Sequence, residues 1–269
     1  MVSTRQHPRD FPPPEASPTK SSPRKSSRLS TASPAPAPAP ASASPTPIML
    51  NGDSPQRRTW SHTASNITIV WIVVSLPLVI WDSLYILLRP HTMAGGAIQW
   101  PIWKPYEIYA SIDHVYGWPS WNDKDGFPGA QGALNAVEAV LYGLYIMIVW
   151  NHGLPSAGGK GVQLGSGVSK FIAGGRKVPG KTGNRALLIG FAAAIMTLSK
   201  TVLYYLNEYF SEFQSIKHNS WPTLIAFYGV MNGLWVILPA YMTVVFGSDI
   251  LEALDVASES SSAASKKKY

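Results

Sequence analysis

Four runs of apolar residues, at about 66–88, 133–150, 186–206 and 223–246, set the pattern of the chain. A helix crossing a bilayer needs roughly 20 mostly apolar residues, so each run is expected to span a membrane. The polar positions inside them recur at helical spacing rather than at random. In the second run Asn135, Glu138, Tyr142 and Tyr145 share one face. Ser75, Asp82, Tyr85 and Arg89 form a stripe in the first run, Thr197, Lys200, Tyr204 and Asn207 in the third, and Tyr228, Asn232, Trp235 and Pro239 in the fourth. An acid inside a span costs at least about 2.5 kcal/mol unless it finds a partner or a wet cavity, so these stripes should face one another. The pattern predicts an all-α polytopic membrane protein, a four-helix transmembrane bundle.

Charge sets the expected orientation. Eight Lys/Arg precede residue 60, six lie at 151–185 and Lys266, Lys267 and Lys268 close the chain, against Arg89, Lys104, Lys124 and Lys217 on the opposite side. Cytosolic flanks carry the excess of positive charge, so both termini are expected in the cytosol and 89–130 in the lumen. That loop holds Trp100, Trp103, Tyr106, Tyr109, Tyr116, Trp118 and Trp121, residue types suited to a membrane surface, and it should lie over the helix ends. Asp113 is its acid of interest, with a turn or cap as the plainer role.

The segments outside the spans read differently. Residues 1–59 are rich in Pro, Ser, Ala and Lys/Arg, with alternating Pro and Ala at 34–40 and Ser-Pro pairs at Ser17, Ser22, Ser33, Ser44 and Ser54. Such a tail has too little apolar surface to offset its ordering entropy, so three regions are expected: a disordered cytosolic tail at 1–59, a membrane domain at 60–250 and a cytosolic tail at 251–269. No apolar run precedes Ile67, so no secretory signal peptide is expected. The terminal lysines resemble a dilysine retrieval signal of the endoplasmic reticulum, an ordinary basic tail being the alternative. The segment 175–182, GRKVPGKT, matches the phosphate-loop pattern, but it lies between spans and is read as a flexible basic connector.

A net charge of +7 could suggest nucleic acid, yet the positive charges sit where membrane topology needs them. With no cysteine, disulfides, thiolate metal sites and a cysteine nucleophile are excluded, and the six scattered histidines show no ligand spacing. No metal or cofactor is expected.

Helix rise places Asp82, Glu138 and Lys200 at one depth, about 8–9 Å below the lumenal edge. Two readings follow. The three can form a structural polar network, since intramembrane charges normally pair. They can equally serve chemistry on a hydrophobic ring system beside Trp235. A carboxylic acid kept neutral by burial would give a proton to an alkene, and the carbocation would rest on the indole face.

The segments FYGVMNGLWVILP (227–239), VLYYLNE (202–208), IYASIDHVY (108–116) and NAVEAVLYG (135–143) resemble the emopamil-binding protein family, the EXPERA domain, over roughly 66–250. Its members include a sterol isomerase and the sigma-2 receptor. The resemblance implies a helical endoplasmic reticulum protein with a cavity for sterols or cationic amphiphiles. Glu138, Asn232 and Trp235 fall on positions the isomerase uses, Asp113 on a matching acid, and Asp82 on the first-span acid with a one-residue shift. The chain departs from the isomerase where Ser75-Leu76-Pro77 lacks its histidine and where Thr201 replaces an acid. The expected site therefore has Glu138, Asp82 and Asp113 as proton-handling residues and Asn232, Trp235, Tyr228, Tyr142 and Lys200 as ligand contacts. Its expected partners are a sterol or other hydrophobic small molecule and membrane lipid, not nucleic acid, with a homodimer left open.

In microsomes, protease added outside is expected to trim both tails and cut near Arg176. Protection of either tail would overturn the four-span orientation.

Overall fold

The computed structural model describes residues 60–156 and 174–266. The tail at 1–59, the centre of the expected basic connector and residues 267–269, the end of the expected dilysine signal, lie outside the described residues. Helix α1 (Asn66–Leu87) starts where Ser65 caps it, its hydroxyl accepting from Thr68 N at 3.2 Å. Helices α2 (Tyr106–Ile112) and α3 (Trp118–Asn122) follow in the first long loop, separated by a 3-10 turn, His114–Tyr116. Helix α4 covers Phe127–His152 and α5 Gly180–Phe210. The last span opens with one turn at Trp221–Thr223, passes through a π-helix at Leu224–Val230, and continues as α6, Met231–Lys266.

The four long helices are apolar enough to cross a membrane, which bears out the expected class of fold. Their outward faces carry Val73, Val140, Leu188 and Ile237, all more than half or nearly half exposed, whereas Ser75, Ser83, Asn135, Glu138, Thr197 and Lys200 are buried. This arrangement is what lipid selects: apolar side chains face the hydrocarbon and polar ones find partners inside. Helix α1 packs on α4, α4 on α5 and α5 on α6, while α1 and α6 touch only thinly. One contact across that seam is the edge-to-face pair Trp71–Trp235, with ring centroids 5.1 Å apart.

The helices extend beyond the apolar runs, and a small sheet caps one end of the bundle. Strands β1 (Ser61–Ser65), β2 (Leu154–Ser156) and β3 (Gly175–Pro179) form an antiparallel sheet in the order β1-β3-β2. The described part of the expected connector is thus ordered: GRKVP is a strand that runs directly into α5. Pairing with β1 and β2 occupies this backbone, so it cannot curl into a phosphate cradle. Arg176 fixes the sheet to α4, donating to the carbonyls of Val149 (3.2 Å), Trp150 (3.1 Å) and Gly153 (2.7 Å). These carbonyls lie at the C-terminus of α4, where a cation is also favoured by the helix dipole. From β1, buried His62 meets Asp249 Oδ2 at 3.1 Å through Nδ1 and the Tyr145 hydroxyl at 3.0 Å through Nε2. One ring therefore joins the sheet to α4 and α6.

The other end, the loop end, is covered by residues 88–126 and 211–220. Its aromatic residues form a pile in which Tyr85 and Tyr106 stack at 3.8 Å, Tyr116 follows and Tyr109 meets Tyr106 and Tyr116 edge-on. Trp103 is buried there, while Trp100 stays 76 % exposed.

Close helix packing needs Gly190, because a Cβ there would lie 2.7 Å from the Tyr145 ring and 3.0 Å from Phe246. Gly190→Ala is expected to cost about 1–3 kcal/mol of stability through overpacking, read as a lower midpoint of thermal helix loss in detergent. An unchanged midpoint would mean that the two rings move aside freely.

Candidate functional site

A cavity of about 410 Å³ lies between the spans near the loop end, within the roughly 300–1,000 Å³ usual for small-molecule sites. Leu78, Val79 and Ile86 of α1, Ile108 of α2, Phe127 of α4 and Met231 and Trp235 of α6 give it apolar walls. Leu78, Ile108, Phe227 and Met231 on its rim are also exposed on the outer surface. The cavity therefore borders the lipid-facing side at the thin seam between α1 and the last span.

One polar chain runs along its wall. The Tyr106 hydroxyl donates to Asp82 Oδ1 at 2.7 Å, and Asn135 Nδ2 donates to Asp82 Oδ2 at 2.7 Å. Lys200 Nζ donates to Asn135 Oδ1 and pairs with Glu138 Oε2 at 3.2 Å. Asn135 can bridge an acid and an ammonium because its amide offers a donor on one side and an acceptor on the other. Burial, reinforced by the charge of Asp82, holds the Tyr106 hydroxyl well above its ordinary value of 10, so it acts as a donor. Gln131 sits one turn above Asn135 and donates to the Lys200 carbonyl at 3.0 Å, steadying the backbone that carries the lysine.

Of the eight candidates, Asp82, Lys200, Asn232 and Trp235 line the cavity. Asn232 donates to the Tyr228 carbonyl at 2.9 Å and lies 3.4 Å from the Tyr109 hydroxyl. The other four candidates are elsewhere. Glu138 is 1 % exposed and stands behind Lys200, off the cavity wall. Three residues beyond Asn135, it is turned roughly 60° around α4, towards α5. Tyr142 lies deeper, packed in the core with Tyr145 and Val149 and hydrogen-bonded to the Thr197 hydroxyl at 3.2 Å. Tyr228 belongs to a satellite cluster with Val115, Tyr204 and Ile216. The π-helix displaces it from the face that an uninterrupted α-helix would share with Asn232 and Trp235.

Asp113 is wholly buried, and its Oδ1 accepts from Val115 N at 3.0 Å, capping the turn His114–Tyr116. Burial raises its carboxyl to about 8, with Glu208 and Asp82 adding to the rise. The structure thus gives it the capping role, off the cavity wall. Sequence reasoning gave no site role to Gln131, Asn135 or Tyr106. A signal existed for the first two: Gln131, Asn135, Glu138 and Tyr142 repeat at four-three-four spacing along one stripe.

Among the described residues no three His, Asp or Glu side chains converge as metal ligands would. No protein-family model matches the chain, and comparison with curated proteins and with solved structures finds no match.

The pairing of Glu138 with Lys200 makes stability the property most sensitive to this acid. Glu138→Gln leaves a buried ammonium without its counter-ion, a change that costs about 3–5 kcal/mol when such pairs are broken. A marked fall in the thermal midpoint of detergent-purified protein is expected. Wild-type stability would show that the lysine does not depend on this partner.

Proposed function

We propose that the cavity binds a sterol- or isoprenoid-type lipid and that Asp82 handles a proton on that ligand, in the manner of a sterol double-bond isomerase. The observation that carries the reading is Asp82 on an otherwise largely apolar, lipid-bordering wall, with Trp235 lining the same space. Two carboxyls share the ammonium of Lys200, Asp82 through Asn135 and Glu138 directly. Neutrality in a low-dielectric site then calls for one proton on the cluster. Asp82 is the member that combines a carboxyl with access to the ligand, so it is the group to give that proton to an alkene carbon. The same carboxylate, held by Tyr106 and Asn135, can accept a proton from the carbon two positions away, which moves the double bond. Trp235 offers the π face that stabilises the intermediate cation. The resemblance to the emopamil-binding protein family supports the same substrate class.

A second reading is a non-catalytic receptor or chaperone for a lipid or amphiphile. Its support is the locked Lys200–Glu138 pair, which leaves Asp82 as the carboxyl among the described cavity-lining residues, whereas proton transfer across a ring system usually employs an acid and a separate base. In either case the proposed address is the endoplasmic reticulum membrane with both termini cytosolic, supported by the charge asymmetry and the terminal lysines.

Purified protein incubated with candidate sterols, with products read by mass spectrometry and NMR, separates the readings: a shifted double bond supports the enzyme, and binding without product supports the receptor. Asp82→Asn and Trp235→Leu are each expected to lower affinity or turnover about tenfold or more, equivalent to roughly 1.4 kcal/mol, and Trp235→Leu to do so with little loss of stability. Wild-type ligand handling in both variants would sink the assignment of this cavity.

A further inference from the structure

The segment joining α5 to α6 differs in build from the rest of the bundle. It begins with Glu212 and Phe213, both in the left-handed region at φ 56°, a conformation that costs non-glycine residues roughly 1 kcal/mol or more each. It ends in the seven-residue π-helix, Leu224–Val230, a form rare in proteins and often found at functional sites. Between these two stretches the chain is held down by a compact joint. His114 N donates to the Ser215 carbonyl at 3.1 Å, Asn219 Nδ2 to the Ile112 carbonyl at 2.7 Å, and His218 Nε2 meets the Ser111 carbonyl at 2.8 Å. The imidazoles of His114 and His218 lie face to face, 4.0 Å apart and within 9° of parallel. Beneath the joint Ile216 packs on Val115, and Val115 itself lines the cavity.

The two sides of the joint are anchored unequally. The turn His114–Tyr116 is fastened to α1 by Arg89, which donates to the Val115 carbonyl at 3.2 Å, and by the Tyr85 hydroxyl, which donates to the Tyr116 carbonyl at 2.8 Å. The segment 211–220 is surface chain whose side chains, apart from Ile216, are exposed or half-exposed. Immediately downstream, Phe227 and Met231 form part of the cavity wall next to the thin seam with α1.

We propose that residues 211–230 are a gate over the loop end of the cavity, hinged at Glu212–Phe213 and at the π-helix and latched by His114, His218 and Asn219. Releasing the latch lets the strained backbone relax and withdraws Ile216 from Val115 and Phe227 from the cavity rim. An aperture of that kind admits a bulky, rigid, apolar molecule without unpacking α1, α4 or α5. The gate is a property of the protein alone and does not depend on the identity of the ligand.

The absence of cysteine allows a direct test on full-length, detergent-purified protein. Thr201→Cys places a thiol on the cavity wall, and Ser75→Cys places one in a buried position off that wall. The readout is the labelling rate with an uncharged maleimide at one fixed pH. Adding His218→Ala and Asn219→Ala to undo the latch is expected to speed labelling at Thr201→Cys about tenfold, with little change at Ser75→Cys. Adding Glu212→Gly instead removes strain from the closed form, since glycine accepts positive φ freely, and labelling at Thr201→Cys is expected to slow. An unchanged rate in the unlatched protein, or an equal rise at both thiols, overturns the gate. Should the unlatched protein fail to fold, the Glu212→Gly arm decides: slower labelling supports the gate and an unchanged or faster rate rejects it.

Discussion

The amide of Asn135 is the interaction on which the interior of this bundle depends. An acid on α1 and an ammonium on α5 cannot be left apart in hydrocarbon, and a direct contact would close the space between them. A carboxamide between them satisfies Asp82 and Lys200 at once and keeps the two helices a side chain apart. Glu138 completes the balance from behind, so the charges are joined in a line while one carboxyl remains at the wall. A buried polar line of this kind tolerates little: removing one member leaves another unpaired, at a cost of about 1–3 kcal/mol for a neutral group and more for a charge.

The two ends of the bundle solve different problems. At one end, the sheet, Arg176 and His62 fasten all four spans through directional bonds. At the other, stacked tyrosines and short helices spread over the helix ends, and the proposed functional elements gather there. Rigidity at one end and a latched segment at the other allow a cavity wall to be remodelled without loss of the packing that defines it.

Much of this was legible in the residues. Four spans and the inward stripes follow from hydrophobic pattern, and the shared depth of Asp82, Glu138 and Lys200 follows from helix rise; the polar chain through Asn135 agrees with it. Angle around the helix was less legible than depth. Glu138 has the right height but faces α5, and Tyr228 is turned aside by a π-helix that no propensity announces. Tyr142 shares the stripe of Asn135 yet sits a turn too deep for the cavity. Asp113 was placed in a loop with a cap as one reading, and its bond to Val115 N gives that role. The sheet was missed because its strands are three to five residues long and take their partners from distant parts of the chain. Local sequence carries little signal for pairing of that kind.

That distance has a consequence for the order in which the protein is made. Strand β1, at Ser61–Ser65, pairs with β3, at Gly175–Pro179, and so does β2. When α1 and α4 leave the ribosome, the strand that joins β1 and β2 has not yet been synthesised. Contacts between the first two spans, including the Ser83 hydroxyl on the Gly132 carbonyl at 2.8 Å, need no part of β3. The sheet can close only once β3 follows the first two spans in the chain.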